Sequence, residues 1–262
     1  MPHSYLVCAS QRSGSTLLVK SLRATGLAGD PKEFFQYHPE TSLSPQPADW
    51  FAGVTDESVL RLLAPGTVGT PSTETSEQWR ARIRREGTGP NGVWGGKLMW
   101  NQTPLLLDRA AGLADRSGSD LLSAIHDTVG EVRFVKVTRR DVVDQAVSFW
   151  RAVQTRVWEG PTAPELDARA QYHPDGIAHL VQILRDQETG WRSFFASTGI
   201  TPIEVDFTEL ATDTERVLSH VLDRLDIPAE APEPALKKQG DLRSSEWAER
   251  YRRDARKAGL PT

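Results

Sequence analysis

The chain has very little with which to cross-link itself or to hold a metal. Cys8 is the only cysteine in 262 residues, so neither an intrachain disulfide nor a thiolate metal cluster is available to it. That cysteine lies in an apolar run and reads as a buried core thiol. The six histidines, at 3, 38, 126, 173, 179 and 220, form no H-x-H or H-E-x-x-H pair, and no metal site is expected. No apolar stretch nears the roughly 18–20 residues that span a bilayer. The basic, apolar and small-residue succession of a signal peptide is missing near Met1, so a cytoplasmic setting away from membranes is expected. A net charge of −4 gives no electrostatic footprint for nucleic acid.

What is present is ordinary globular material, 38% hydrophobic and 25% charged, enough for one large α/β domain or two small ones. Tyr5–Ala9 reads as a fully buried strand. Helical period follows, with Leu17, Leu18 and Leu22 on one face and Gly26 as the C′ stop. Residues 39–73 are rich in Pro, Gly and Ser apart from a short helix, Asp56–Ala64, with Thr55 as N-cap. Thr75 and Gln78 fit a capping box that opens a helix running to about Glu86, and its arginines read as a solvated face before a binding patch. Gly92–Trp100 is a buried strand with glycines where a backbone or ligand comes close. Helices are expected at Thr103–Leu113 and Asp120–Thr128, then a strand at Val132–Val137 and a long amphipathic helix over Val142–Trp158. A loose segment covers 160–174, followed by a helix over 177–197, a strand at Ile203–Phe207, a helix marked by Val217 to Leu225, and a basic helix, Ser244–Lys257. Strands alternating with helices indicate an α/β fold with a mainly parallel sheet covered on both faces. There is no internal repeat.

The stretch from Tyr5 to Leu18 carries the first chemical signal. A strand, a tight polar turn containing Gly14 and a helix N-terminus together make an anion site, because the first helical amides lack intrahelical partners and the dipole favours negative charge there. Ser13, Ser15 and Thr16 add hydroxyl donors, and Arg12 a permanent forked cation. A plain strand–turn–helix corner with Ser/Thr capping is the bland alternative. A nucleoside-triphosphate loop is disfavoured: the pattern G-x-x-x-x-G-K-[ST] needs Gly at position 9 and Lys at 15, where this chain has Ala9 and Ser15.

Glu33 stands beside Phe34, Phe35 and Tyr37, just beyond the first strand–helix unit, where ligands of α/β sheets bind. Partial desolvation there tends to raise a carboxyl pKa and suits it to base work; the alternative is a solvated loop Glu with the two Phe in the core. Lys97 lies inside an apolar strand and needs a partner, either an internal ion pair or a ligand. Arg139 and Arg140 end a strand as a second potential anion site.

These residues resemble a family. Arg12–Thr16 is similar to the 5′-phosphosulfate loop of sulfotransferases, where a basic residue precedes Ser-Gly-[ST]-[ST]. Arg140 and Ser148, eight apart, resemble that family's 3′-phosphate motif. Ser10–Leu18, Glu33–Tyr37, Asn91–Gln102 and Gln145–Thr155, in that order, resemble the bacterial trehalose 2-sulfotransferases, the Stf-zero family, over nearly the whole chain. The resemblance implies a single sulfotransferase domain of 1–262 with a P-loop-like three-layer αβα fold. It implies PAPS (3′-phosphoadenosine 5′-phosphosulfate) as donor, its phosphosulfate on Arg12, Ser13, Gly14, Ser15 and Thr16, its 3′-phosphate on Arg140 and Ser148. Eight helical residues span about 12 Å, so those two converge only if Arg140 precedes the helix. Phe207 resembles a position beside the adenine, and Lys238 loosely resembles part of a C-terminal 3′-phosphate loop. The family's general base falls on Glu33, which with Gln36, Lys97 and Trp100 is expected to meet the disaccharide acceptor, trehalose; Trp94, Trp100 and Trp158 are candidates to stack on sugar rings. A homodimer, exchanging a segment between protomers, is also implied. The alternatives are another glucoside acceptor, a kinase that binds Mg-ATP, and a nucleotide-binding module without catalysis.

Overall fold

A computed structural model of the chain describes residues 3–39, 41–160, 162–230 and 242–262. Four strands, β1 (Tyr5–Ala9), β2 (Gly95–Met99), β3 (Arg133–Thr138) and β4 (Ile203–Asp206), form one parallel sheet in the order β2-β1-β3-β4. Tyr5 is in register with Gly95 on one side and Arg133 on the other, and Val135 with Ile203. All four carboxyl ends therefore emerge at one edge. β1 and β2 are buried at every position, which is why they read as continuous apolar or small-residue runs rather than as alternation.

The side-chain period of two divides the sheet's residues between two cores. Tyr5, Val7, Ala9, Val135, Val137 and Val205 pack beneath α1 (Ser15–Ala24) and α10 (Thr214–Arg224). Leu6, Cys8, Leu98 and Phe134 face α3 (Ser76–Gly87), α4 (Thr103–Ala111), α5 (Leu121–Val129) and the end of α8 (Pro174–Thr198). Helices on both faces make the expected three-layer α/β arrangement. A third cluster joins α8 to α6 (Val142–Thr155) and α11 (Leu242–Ala258). There Trp150 is fully buried and a Cβ on Gly176 would come within 2.7 Å of its ring. Burying such a side chain contributes roughly 1.5–3 kcal/mol.

Several boundaries differ from the sequence reading. α2 is only Glu57–Leu60, capped by Asp56, whose carboxylate accepts from Ser58 N, rather than by Thr55. A 3₁₀ helix at Pro47–Phe51 and α7 (Pro164–Arg169), each with Pro in its first turn, stand in segments read as loose. α6 stops at Thr155, where Arg156 turns left-handed (φ 59), three residues short of Trp158. Phe207 is not the end of a strand but the start of α9 (Phe207–Thr212), because Asp206 caps the amides of Thr208 and Glu209. The capping box at Thr75 and Gln78 is formed as read.

Candidate active site

A cleft of about 600 Å³ opens at the carboxyl edge of the sheet, over the turn between β1 and α1. That turn is shaped by two left-handed residues, Arg12 (φ 61) and Gly14 (φ 91). Gly14 is constrained twice: a Cβ there would lie 2.3 Å from Cδ2 of Phe207, besides facing the left-handed penalty. The amides of Ser15 and Thr16 open α1 with no carbonyl four residues back inside the helix. Arg12 folds into the cleft wall, donating from Nε to Ser148 Oγ at 2.9 Å and from a terminal nitrogen to the carbonyl of Trp158. Burial, with the like charges of Arg139 and Arg151, brings its pKa down to about 10, so it stays cationic at neutral pH. Burial also lowers the pKa of Arg139, which donates to Arg12 O at 3.3 Å and lies 4.7 Å from the centre of the Phe207 ring.

The facing wall is built by pairing a loop onto β2. Lys32 forms an isolated parallel bridge with Gly96, and Lys97 N donates to Lys32 O at 2.9 Å. This sets Glu33 beside Lys97. Lys97 Nζ reaches Glu33 Oε2 at 2.6 Å and Thr16 Oγ1 at 3.4 Å, while Gln102 Nε2 donates to Glu33 Oε1 at 2.5 Å. Gln102 is itself fixed, its Oε1 accepting from Met99 N at 3.2 Å. Phe34 and Phe35 turn the other way, into the core against Trp94 and Trp79. A second carboxylate, Glu159, pairs with Lys20 at 2.8 Å. Burial would raise its pKa, but the hydrogen bond from Lys20 and the charges of Lys20, Lys97 and Arg12 hold it below the usual value. The cleft thus gathers Arg12, Lys20, Arg23, Lys32, Lys97 and Arg139 around two acids, a surplus of positive charge in a chain whose net charge is −4. Such a surplus gives the cleft an electrostatic potential that favours anions, with carboxylates standing in the same wall.

Residues 4–254 match the family model described as Stf0 sulphotransferase. The chain belongs to the Stf0 sulfotransferase family. It is 58% identical over 262 residues to the trehalose 2-sulfotransferase of Mycolicibacterium smegmatis, covering 99% of this chain and 98% of that one. It is 56% identical over 260 residues to the trehalose 2-sulfotransferase of Mycobacterium tuberculosis, with 98% and 97% covered. Among solved structures, a sulfotransferase from Alicyclobacillus acidocaldarius is similar at TM-score 0.46 and 15% identity, over 97% of this chain and 93% of that one. The chain is therefore a sulfotransferase. No helix among the described residues is long and apolar enough to cross a membrane.

In this Stf0 sulfotransferase the cleft brings together Arg12, Gly14, Ser15, Thr16, Glu33 and Gln36, with Lys97, Ser148 and Phe207 completing the wall. Other expected site residues lie elsewhere. Arg140 points outward, 81% exposed and paired with Asp206 at 2.9 Å, so it does not converge with Ser148. The strand period explains the exchange: continued past Thr138, alternation puts Arg139, not Arg140, on the α1 face with Val135 and Val137. Trp100 packs on Trp191 at 5.1 Å and over Gly190, in the layer behind the cleft. Trp94 is 3% exposed and belongs to the core. Ser13 is fully buried, outside the cleft lining. Lys238 lies outside the described residues. Sequence reasoning passed over Gln102, although it closes the Asn91–Gln102 block, and Trp50 and Glu159, which carry no local signal because they come from a 3₁₀ helix and a loop far apart in the chain.

Proposed function

We propose that this Stf0 sulfotransferase transfers the sulfuryl group of PAPS to the 2-hydroxyl of trehalose by direct in-line displacement, with Glu33 as general base. The acceptor is supported by the two curated relatives above 50% identity over essentially their whole length. The observation that carries the mechanism is the shared cleft, in which a carboxylate stands across from a helix-N-terminal anion loop, linked to it through Lys97. The donor's phosphosulfate lies on the amides of Ser15 and Thr16 beside Arg12. Its 3′-phosphate goes to Arg139 and Ser148, in place of the Arg140 and Ser148 pair that the spacing suggested. Phe207 sits at the adenine. The acceptor meets Glu33 and Gln36, and Trp50 and Trp158 offer flat apolar surface for sugar rings.

The chemistry needs few parts. As the acceptor oxygen bonds to sulfur, its proton passes to Glu33, and the bond from sulfur to the bridging oxygen breaks. That oxygen leaves on adenosine 3′,5′-bisphosphate, with Arg12 and the loop amides offsetting its charge. A metal and a protein nucleophile are both unnecessary, because the group transferred is already activated. The whole chain acts as one domain, a reading favoured by two cores that share the sheet and by a family match from residue 4 to 254. It works as a homodimer, which light scattering tests: a monomer at every concentration refutes this.

Glu33→Gln is the deciding variant. Loss of a positioned general base removes about 10²–10⁴-fold of rate, so turnover with PAPS and trehalose should fall by that factor while bisphosphate affinity stays within threefold. Near-wild-type turnover removes Glu33 from the mechanism. A panel of other glucosides run beside trehalose tests the acceptor, and a faster one replaces it.

A further inference from the structure

The anion loop is gripped from behind by polar groups, of which Ser10, Lys136 and Gln145 are buried and Glu188 is half-buried. Glu188 on α8 accepts a hydrogen bond from Ser10 Oγ at 2.6 Å through one carboxylate oxygen, and its other oxygen meets Lys136 Nζ at 2.7 Å. Ser10 is fully buried, and its Oγ in turn accepts from Gln145 Nε2 at 3.0 Å. The same amide of Gln145 donates to Gln11 O at 2.6 Å. Nearly one turn further along α8, Trp191 Nε1 donates to Ala9 O at 2.9 Å. Three consecutive residues, Ala9 to Gln11, are therefore tied to α6 and α8 immediately before Arg12 turns left-handed at φ 61. Lys136 braces the arrangement from β3: at 5% exposure its ammonium requires a partner, and Glu188 supplies one.

Glu188, Lys136, Ser10 and Gln145 are absent from the lining of the cleft, so their effect on a ligand is indirect. A non-glycine residue in the left-handed region is unfavourable unless its surroundings over-determine it. Fully satisfied buried polar networks rigidify what they hold. A loop already ordered in its binding geometry does not spend ligand affinity on being ordered.

We propose that the Glu188–Ser10–Gln145 relay sets the donor affinity of the loop, with Glu188 as a positioning residue that holds Arg12 and the amides of Ser15 and Thr16 in place. This rests on the donor reading given above. Loosening the relay raises the donor Kd without altering the groups around Glu33, so donor and acceptor parameters separate.

The experiment titrates adenosine 3′,5′-bisphosphate into wild type, Glu188→Gln, Ser10→Ala and the double variant by calorimetry. Initial rates against PAPS and trehalose accompany it. Each single variant should raise the bisphosphate Kd and the PAPS KM about tenfold, while the trehalose KM and kcat at saturating PAPS stay within threefold. The double variant should bind no more than about twofold worse than the weaker single one, since both changes disturb the one connected network that runs from Lys136 through Glu188 and Ser10 to Gln145. Ser10→Ala removes one oxygen from a small side chain and keeps the test open if Glu188→Gln does not fold. Unchanged donor affinity in the folded variants overturns the relay, as do donor and acceptor KM values that rise in parallel. Wild-type protein that fails to bind the bisphosphate refutes the donor reading itself and takes the relay with it.

Discussion

Arg139 and Arg140 are neighbours in sequence and opposites in setting, and truncating each in turn gives the sharpest test of the cleft. The Arg139 side chain is 17% exposed, loosely paired with Asp144 at 3.9 Å, in contact with the loop through Arg12 O and stacked near Phe207. Removing one partner of a desolvated charge pair costs about 2–5 kcal/mol of binding. The stacking on Phe207, about 0.5–2 kcal/mol, exists before the donor arrives and so contributes little to the difference. Arg139→Ala should therefore weaken adenosine 3′,5′-bisphosphate binding by at least about 2 kcal/mol, close to 30-fold. Arg140 is 81% exposed and already paired with Asp206. An exposed pair is worth about 0–1 kcal/mol, so Arg140→Ala should cost at most about fivefold, and that effect should fade as salt shortens the screening length. Calorimetry at low and moderate ionic strength reads both. A tenfold or larger loss in Arg140→Ala beside less than threefold in Arg139→Ala refutes the assignment and restores the pairing of Arg140 with Ser148.

Two further outcomes follow from the geometry. Gly14→Ala combines a left-handed penalty of about 1–2 kcal/mol with a 2.3 Å clash against Phe207; bisphosphate affinity should drop more than tenfold and Tm should fall. Since Phe207 is itself placed at the adenine, Tm is the readout for adding Phe207→Ala, which should relieve the clash but not the penalty, so a Tm equal to that of Phe207→Ala alone refutes the conformational part. Glu74 is held below the usual carboxylate pKa, first by its hydrogen bonds from Arg82 and then by the charges of Arg82 and Arg109, against desolvation. A depressed folded pKa stabilises above the unfolded value of about 4.3 and is lost as pH falls through the folded one; the Tm difference between wild type and Glu74→Gln should be largest near pH 7 and shrink below about pH 4, and a pH-independent difference contradicts the pairing.

The parts of this fold that were legible in the sequence are those where local chemistry agrees with the global structure. β1 announces itself because a strand buried on both faces must be apolar throughout, and α3 because Thr75 and Gln78 satisfy each other's amides. Positions where a tertiary contact decides were not legible. Whether Phe207 extends β4 or opens α9 depends on the Asp206 carboxylate, and the end of α6 depends on residues 156–158 turning back so that Trp158 O meets Arg12. In the cleft, the turn between β1 and α1 was readable because a glycine turn before a helix is a local pattern, whereas Glu33 was singled out by the family resemblance, its composition alone fitting a solvated loop equally well. That Arg139 faces the cleft while Arg140 points outward was recoverable from strand parity. Lys97 was left between an ion pair and a ligand contact, and its bond to Glu33 depends on the bridge from Lys32 to Gly96. Trp50 and Glu159 come from segments that only the folded chain brings to the same wall.

The cleft's two walls are made of different material. The anion loop hangs from β1, the second strand of four, hydrogen-bonded on both edges and buried throughout. Glu33 and Gln36 belong to a stretch, 33–46, whose described residues form no helix or strand; its backbone follows the bridge at Lys32, and side chains at Glu33, Phe34 and Phe35 tie its start to the sheet and core. Amides of β1 should exchange with solvent only when the molecule unfolds globally, while those of the described residues of 36–46 should exchange through local openings. A fold built this way has one stiff jaw and one compliant jaw. On the function proposed above, insertions and substitutions on the compliant side would change the choice of acceptor while leaving the grip on the sulfuryl donor intact.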